Sequence, residues 1–201
     1  MCDYVLGEKG VACNLRCRAQ HIGRRTALEL GLSLLVAPRL ALAQTDAAHE
    51  RPREGDFLVS VGAIEPEPLK PAELALDAKQ TFSWPMDPVT KTVRAGSRLN
   101  KVLLLRLDSE GFDPNTKERS AEGVVAYSAV CVHTGCDVTN WDPDRRLLGC
   151  PCHYSVYDPM EGAKVIAGPA PRPLPALPLK IGDGRLVVAK PFTGRAGFQQ
   201  M

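Results

Sequence analysis

Four cysteines and two histidines fall between Cys131 and His153, in the hexapeptides CVHTGC (Cys131 to Cys136) and CPCHYS (Cys150 to Ser155). The remaining three cysteines and two histidines all precede residue 50. Thiolates and imidazoles are the side chains that hold soft and borderline metals. A Cys-x-His and a Cys-x-x-His sequence, 16 residues apart, can offer two of each to one centre. On ligand type alone two centres fit. One is a structural zinc in a tetrahedron of two Cys and two His. The other is a 2Fe–2S centre with two thiolates on one iron and two imidazoles on the other. Zinc leaves Cys136 and Cys152 without a task, and does not account for Gly135 before Cys136 or Pro151 inside the second loop.

The two hexapeptides match the paired boxes Cys-x-His-x-Gly-Cys and Cys-x-Cys-His-x-Ser, and residues 123–190 closely resemble the Rieske family. The resemblance implies that Cys131 and Cys150 ligate an inner iron and that His133 and His153 ligate an outer iron near the surface. It implies a disulfide between Cys136 and Cys152, which would clamp two loops that have little core beneath them. Ser155 and Tyr157 occupy positions that, in quinol-oxidising members, donate hydrogen bonds to a bridging sulfide and a cysteine ligand. Such bonds favour the reduced, more negative cluster and raise its potential. The stretch Gly168 to Pro175, with Gly168, Pro169 and Pro171, resembles the proline loop that covers the cluster in that family. The cofactor implied is a Rieske-type 2Fe–2S cluster, of the high-potential branch.

These loops need a frame. Hydrophobic residues make up 44% of the 201, aromatics only 5%, with 17 Gly and 17 Pro. That mixture favours short strands and many turns. Residues 57–63 alternate like a strand, 80–84 form a short strand stopped by Pro85, and 101–107 and 124–130 are strong strand candidates. Residues 65–74 read as a surface loop with three prolines, and 110–123 as a polar excursion with one helical turn. The final apolar runs turn at Gly182–Asp183–Gly184 as a hairpin. The fold class expected is all-β, an antiparallel sandwich or barrel of Rieske type over 57–190, with a small inserted cluster-binding lobe at about 129–175. Residues 44–56 read as a flexible lead-in and 191–201 as a C-terminal tail.

The first 43 residues are of another kind. Arg24 and Arg25 precede the mildly apolar run Ala27 to Ala37, and Ala41–Leu42–Ala43 is a small-x-small cleavage pattern. The run is too short, and too soon broken by Pro38 and Arg39, for a good membrane anchor. A twin-arginine signal cleaved after Ala43 is expected, with export to the periplasm, where disulfides persist. Six of the 25 Lys/Arg and three of the 23 Asp/Glu lie in residues 1–43, leaving 19 basic against 20 acidic residues after them. That balance leaves no basic stripe for nucleic acid.

The resemblance implies a one-electron carrier serving as the iron–sulfur subunit of a larger oxidoreductase of the quinol–cytochrome c reductase type. Its partners would be a cytochrome b-type subunit and a c-type cytochrome or similar acceptor. Membrane association would come only through a partner or an uncleaved signal. Alternatives are the small Rieske subunit of an arsenite-oxidase-like molybdoenzyme, with a molybdopterin-type partner, and a stand-alone carrier. A structural zinc module is the reading from a different class.

Overall fold

The computed structural model describes residues 47–198, so the expected signal at 1–43 lies outside the described residues. Among the described residues ten antiparallel strands form two sheets. The larger has the order β4-β3-β2-β1-β10-β9, with β1 at Phe57–Ser60, β2 at Thr81–Met86, β3 at Val102–Arg106, β4 at Val124–Ser128, β9 at Leu179–Gly182 and β10 at Arg185–Val188. The smaller, β5-β6-β7-β8, comprises Asn140–Asp142, Leu147–Gly149, Val156–Asp158 and Lys164–Ala167. The described chain is all-β apart from short 3₁₀ turns, a helical turn at 47–49 and the one-and-a-half-turn helix α1, Pro114–Arg119, which Asp113 caps.

β3 and β4 carry unbroken apolar runs because both of their faces are buried. Side chains alternate across a strand, so Leu103, Leu105, Val125 and Tyr127 face one core, shared with Leu148 and Tyr157 of the smaller sheet. Val102, Leu104, Val124 and Ala126 face a second, shared with Leu58, Leu186 and Val188. The outer edge of β4 is covered by the returning chain: Ser128 N–H donates to Pro175 O and Leu177 N–H to Ala126 O, both at 2.9 Å. The strand pair β9/β10 turns through Asp183 (φ 50°) and Gly184 (φ 70°), the two left-handed residues of a tight type I′ hairpin.

Three local expectations are revised. Pro85 does not stop β2, which continues to Met86. Val61 N–H bonds Phe82 O, which fixes the parity of the β1/β2 ladder and puts Pro85 opposite Leu58 in a non-hydrogen-bonded pair. Its missing N–H therefore points away from β1, and β3 pairs only as far as Ser83. The stretch 65–74 is not all surface, since Leu69 and Leu74 enter the second core. Residues 47–56 are packed rather than loose. The guanidinium of Arg94, 1% exposed, donates to both oxygens of Asp56, 2% exposed, at 2.7 and 3.1 Å. It also donates to Glu50 at 2.7 Å and to Asp87 at 3.3 Å, while Asn100 donates to the Glu50 carbonyl at 2.7 Å. Burying a guanidinium without such partners would be costly, so the polar segment is drawn in to satisfy it.

Candidate metal centre

The two hexapeptides fold alike. In the first, Cys131 N–H donates to Cys136 O at 2.8 Å and Gly135 N–H to Cys131 O at 3.0 Å. In the second, Cys150 N–H donates to Ser155 O at 2.9 Å and Tyr154 N–H to Cys150 O at 3.1 Å. Each loop thus closes between its first residue and the fifth after it, and each needs a left-handed residue at the fourth. Gly135 meets this at φ 88° without cost, whereas Tyr154 adopts φ 59° with a full side chain, 77% exposed. β4 leads into the first loop and β6 into the second.

The structure brings the two loops together. Cys136 and Cys152 form a disulfide with a Cα–Cα distance of 6.5 Å. Cys131 and Cys150 remain free thiols, both buried. The rings of His133 and His153 meet edge to face with centroids 4.7 Å apart. His153 is exposed and His133 half-buried, so the imidazoles lie outward of the thiols. The sulfurs of Cys136, Cys150 and Cys152 lie within 4.8 Å of one another, but the disulfide removes two of them as ligands.

Several features of this arrangement fit a metal cluster. The Nδ1 of His133 is buried and has no hydrogen-bond partner among the described residues. A buried polar nitrogen left unpaired is costly, and a metal would satisfy it. Burial pushes the Cys150 thiol above its ordinary range, and neighbouring Cys131 adds to this. Two buried sulfurs side by side cannot both ionise without nearby positive charge, which iron would supply. The Tyr157 hydroxyl sits 3.1 Å from Cys131 Sγ. Burial, then the Cys131 sulfur, pushes that phenol up, so it keeps its proton, and toward a metal-bound thiolate, which has no proton to give, it would be the donor. Ser155 Oγ is buried and has no partner among the described residues, so it could donate toward a ligand atom.

The stretch 168–175 closes on the second loop. A Cβ at Gly168, φ 88°, would lie 2.5 Å from Ser155 Cα and 2.7 Å from Tyr154 O. Both are backbone atoms that cannot give way, so only glycine permits this approach. Pro169 and Pro171 are exposed, with Ala170 buried between them.

Three residues that sequence reasoning missed brace the first loop. Arg98 donates to Gly135 O and, at 3.1 Å, to Asp137; Lys101 donates to Asp137 at 2.7 Å; Gln80 Nε2 donates to Val138 O at 3.0 Å. Lone polar residues 36 to 58 positions from their partners carry no pattern that a single sequence displays.

Two buried thiols and two outward imidazoles, held by like loops and flanked by a disulfide, give an all-β protein the donor set that a mixed sulfur–nitrogen metal centre would use. A model of the Rieske [2Fe–2S] domain matches residues 98–178. The chain is 32% identical over 145 residues to the cytochrome bc1 complex Rieske iron–sulfur subunit of Streptomyces lividans, covering 71% of this chain and 84% of that one. It is 31% identical over 186 residues to the subunit of the same name from Streptomyces coelicolor, covering 90% of this chain and about half, 52%, of that one. It is also 39% identical over 106 residues to a putative respiratory nitrate reductase subunit Rieske of Haloferax mediterranei, covering 52% of this chain and 47% of that one. The protein belongs to the Rieske [2Fe–2S] family. Its cofactor is a 2Fe–2S cluster, and not the zinc considered from ligand type alone.

Proposed function

We propose that this protein transfers single electrons through a high-potential Rieske cluster, as the iron–sulfur subunit of a larger oxidoreductase of the quinol–cytochrome c reductase type. The observation that carries the high-potential reading is the Tyr157 hydroxyl 3.1 Å from Cys131 Sγ, in a site where Ser155 is also buried. When bound, a 2Fe–2S cluster would supply one-electron redox chemistry. Cys131 and Cys150 would hold the inner iron, and His133 and His153 the outer one. The Tyr157 phenol, which keeps its proton, favours extra negative charge on the sulfur it faces and so favours the reduced form. The exposed edge of His153 offers the short path to a partner, while Gly168, Pro169 and Pro171 limit water on the adjoining side.

The names of the Streptomyces relatives support a complex containing a cytochrome b-type subunit, with a c-type cytochrome or similar acceptor. Residues 1–43 would direct export by the twin-arginine route, placing the domain at 57–190, with its cluster lobe at 129–175, in the periplasm. Among the described residues no helix is long and apolar enough to cross a membrane. The Haloferax relative, named for another respiratory complex, keeps open a second reading as subunit of a periplasmic molybdoenzyme.

A redox titration followed by EPR tests the potential. A rhombic signal already present after mild reduction by ascorbate is the expected result; a signal that needs dithionite overturns the high-potential reading. Purifying the tagged protein with its partners separates the complexes. Haem b in the isolate supports the first, and molybdenum supports the second.

A further inference from the structure

The chain beyond β10 does not trail into solvent. Ala189 N–H donates to Pro178 O and Thr193 N–H to Ala176 O, both at 2.8 Å, and Thr193 Oγ1 accepts from Ala176 N–H at 2.9 Å. The segment thus runs back along 172–178, the arm that descends from the proline loop. At its far end the Arg172 guanidinium donates to the carbonyls of Arg195 and Gly197, at 2.8 and 2.7 Å. Ala196 and Gly197 are buried. A Cβ at Gly197, φ 73°, would stand 2.8 Å from Leu99 Cδ2 and 3.6 Å from Val130 Cγ1, so the backbone there packs closely beside Leu99 and near Val130, the residue that precedes Cys131. A Cβ at Gly135 would stand 3.2 Å from Phe198 Cδ1, with Arg98 Nη1 4.0 Å away. The Phe198 ring and the Arg98 side chain therefore both lie against the first cluster loop at Gly135.

We propose that residues 193–198 are a positioning strap that joins the proline loop to the first cluster loop and so completes a closed ring of three loops around the metal centre. The other two links are already described. The disulfide joins the first loop to the second, and Gly168 seats the proline loop on the backbone of Tyr154 and Ser155. Without the strap the ring is open on one side: the proline loop keeps its seat at Gly168, Leu174 N–H to Ala163 O at 3.2 Å and Ser128 N–H to Pro175 O at 2.9 Å, none of which reaches the first cluster loop. Arg172 and Phe198 are the two residues on which the closure depends. The proposal concerns this chain's own loops, and it rests on the proposed function only for its consequence at the cluster.

Arg172 is half-buried and Phe198 is 43% exposed, so Arg172→Gln and Phe198→Ala, singly and together, leave both cores intact. Hydrogen exchange of the holoprotein reads the strap directly. Losing the hydrogen bonds or the ring should speed exchange at the Gly135 and Leu174 amides about tenfold, the effect expected for one lost hydrogen bond in a local opening. Amides of β1 to β4 should not change, and iron loss to a chelator should accelerate in step. Phe198→Tyr, which keeps the ring, should restore slow exchange at Gly135. Unchanged exchange at Gly135 and Leu174 would overturn the proposal, as would acceleration spread equally over β1 to β4. A wrong cofactor reading would show separately, as a missing 2Fe–2S EPR signal.

Discussion

The hydroxyl of Tyr157 lies 3.1 Å from Cys131 Sγ. Its phenol is buried and pushed up, so it keeps its proton and would give a hydrogen bond to a Cys131 thiolate that holds iron. A donor to a sulfur is worth more when that sulfur carries more negative charge, by about 1 kcal/mol, which for one electron corresponds to about 40 mV. Tyr157→Phe should therefore retain the cluster and its iron content while lowering the midpoint potential by roughly that amount. A potential equal to that of the wild type would make Tyr157 a packing residue of β7. At this scale the sequence picked out Cys131, His133, Cys150 and His153 as candidate ligands, because candidates confined to two short loops show their spacing openly. Tyr157 was readable only through family resemblance. Arg98 was not readable at all: its hydrogen bonds to Gly135 and Asp137 join residues 37 and 39 positions apart. Tyr154, left-handed and exposed beside His153, gave no sign of its backbone state, since no local rule places tyrosine there.

Between residue and molecule, the working unit is the pair of like loops, each set at the end of a short strand and each closed by its own two backbone hydrogen bonds. Backbone closure shapes each loop but does not fix one against the other; the Cys136–Cys152 bond does that across 16 residues. A cross-link of this span removes about 3 kcal/mol of unfolded-state freedom. Cys136→Ser should lower the stability of the protein by about that amount in urea under non-reducing conditions, and should speed iron loss although no ligand is removed. An unchanged urea midpoint would show that the two thiols do not pair in solution. Strand positions were legible where one rule governs, as in the apolar runs of β3 and β4 and the Asp183–Gly184 turn. They were illegible where a distant partner decides. Pro85 stays inside β2 because ladder parity turns its missing N–H away from β1. The polar run 47–56 looks like a free leader until Arg94, some forty residues later, is seen to require its carboxylates.

At the level of the whole molecule, two apolar cores meet across β3 and β4, and clamped carboxylates sit around them. That β3 and β4 are strands could be read from their sequence; that they divide two cores could not, because an unbroken apolar run does not say what lies on each face. The carboxylates set how the assembled fold responds to acid. Burial acts to raise Asp137, but hydrogen bonds from Lys101 and Arg98 more than offset it and hold the carboxyl below its ordinary range. Asp113 behaves likewise, with burial outweighed by the Thr116 hydroxyl and amide and the Asn115 amide. Asp87 is lowered chiefly by the Thr90 amide, with help from Val89 and Arg94. Each of these groups has a lower value folded than unfolded. Their stabilisation is therefore complete above the unfolded carboxylate value of about 4 and is lost as pH falls through the folded values. The urea midpoint should hold steady from about pH 7 to about pH 5 and then fall steeply below about pH 4. Asp137→Asn should be less stable than the wild type at neutral pH, where it forgoes the clamp on the first cluster loop, and should lose less on acidification. The two curves should therefore converge in acid, because both then carry an uncharged group between Lys101 and Arg98. Parallel curves would instead mean that the acid sensitivity resides in the other carboxylates, and that the braces on Asp137 position the loop without contributing to the pH dependence.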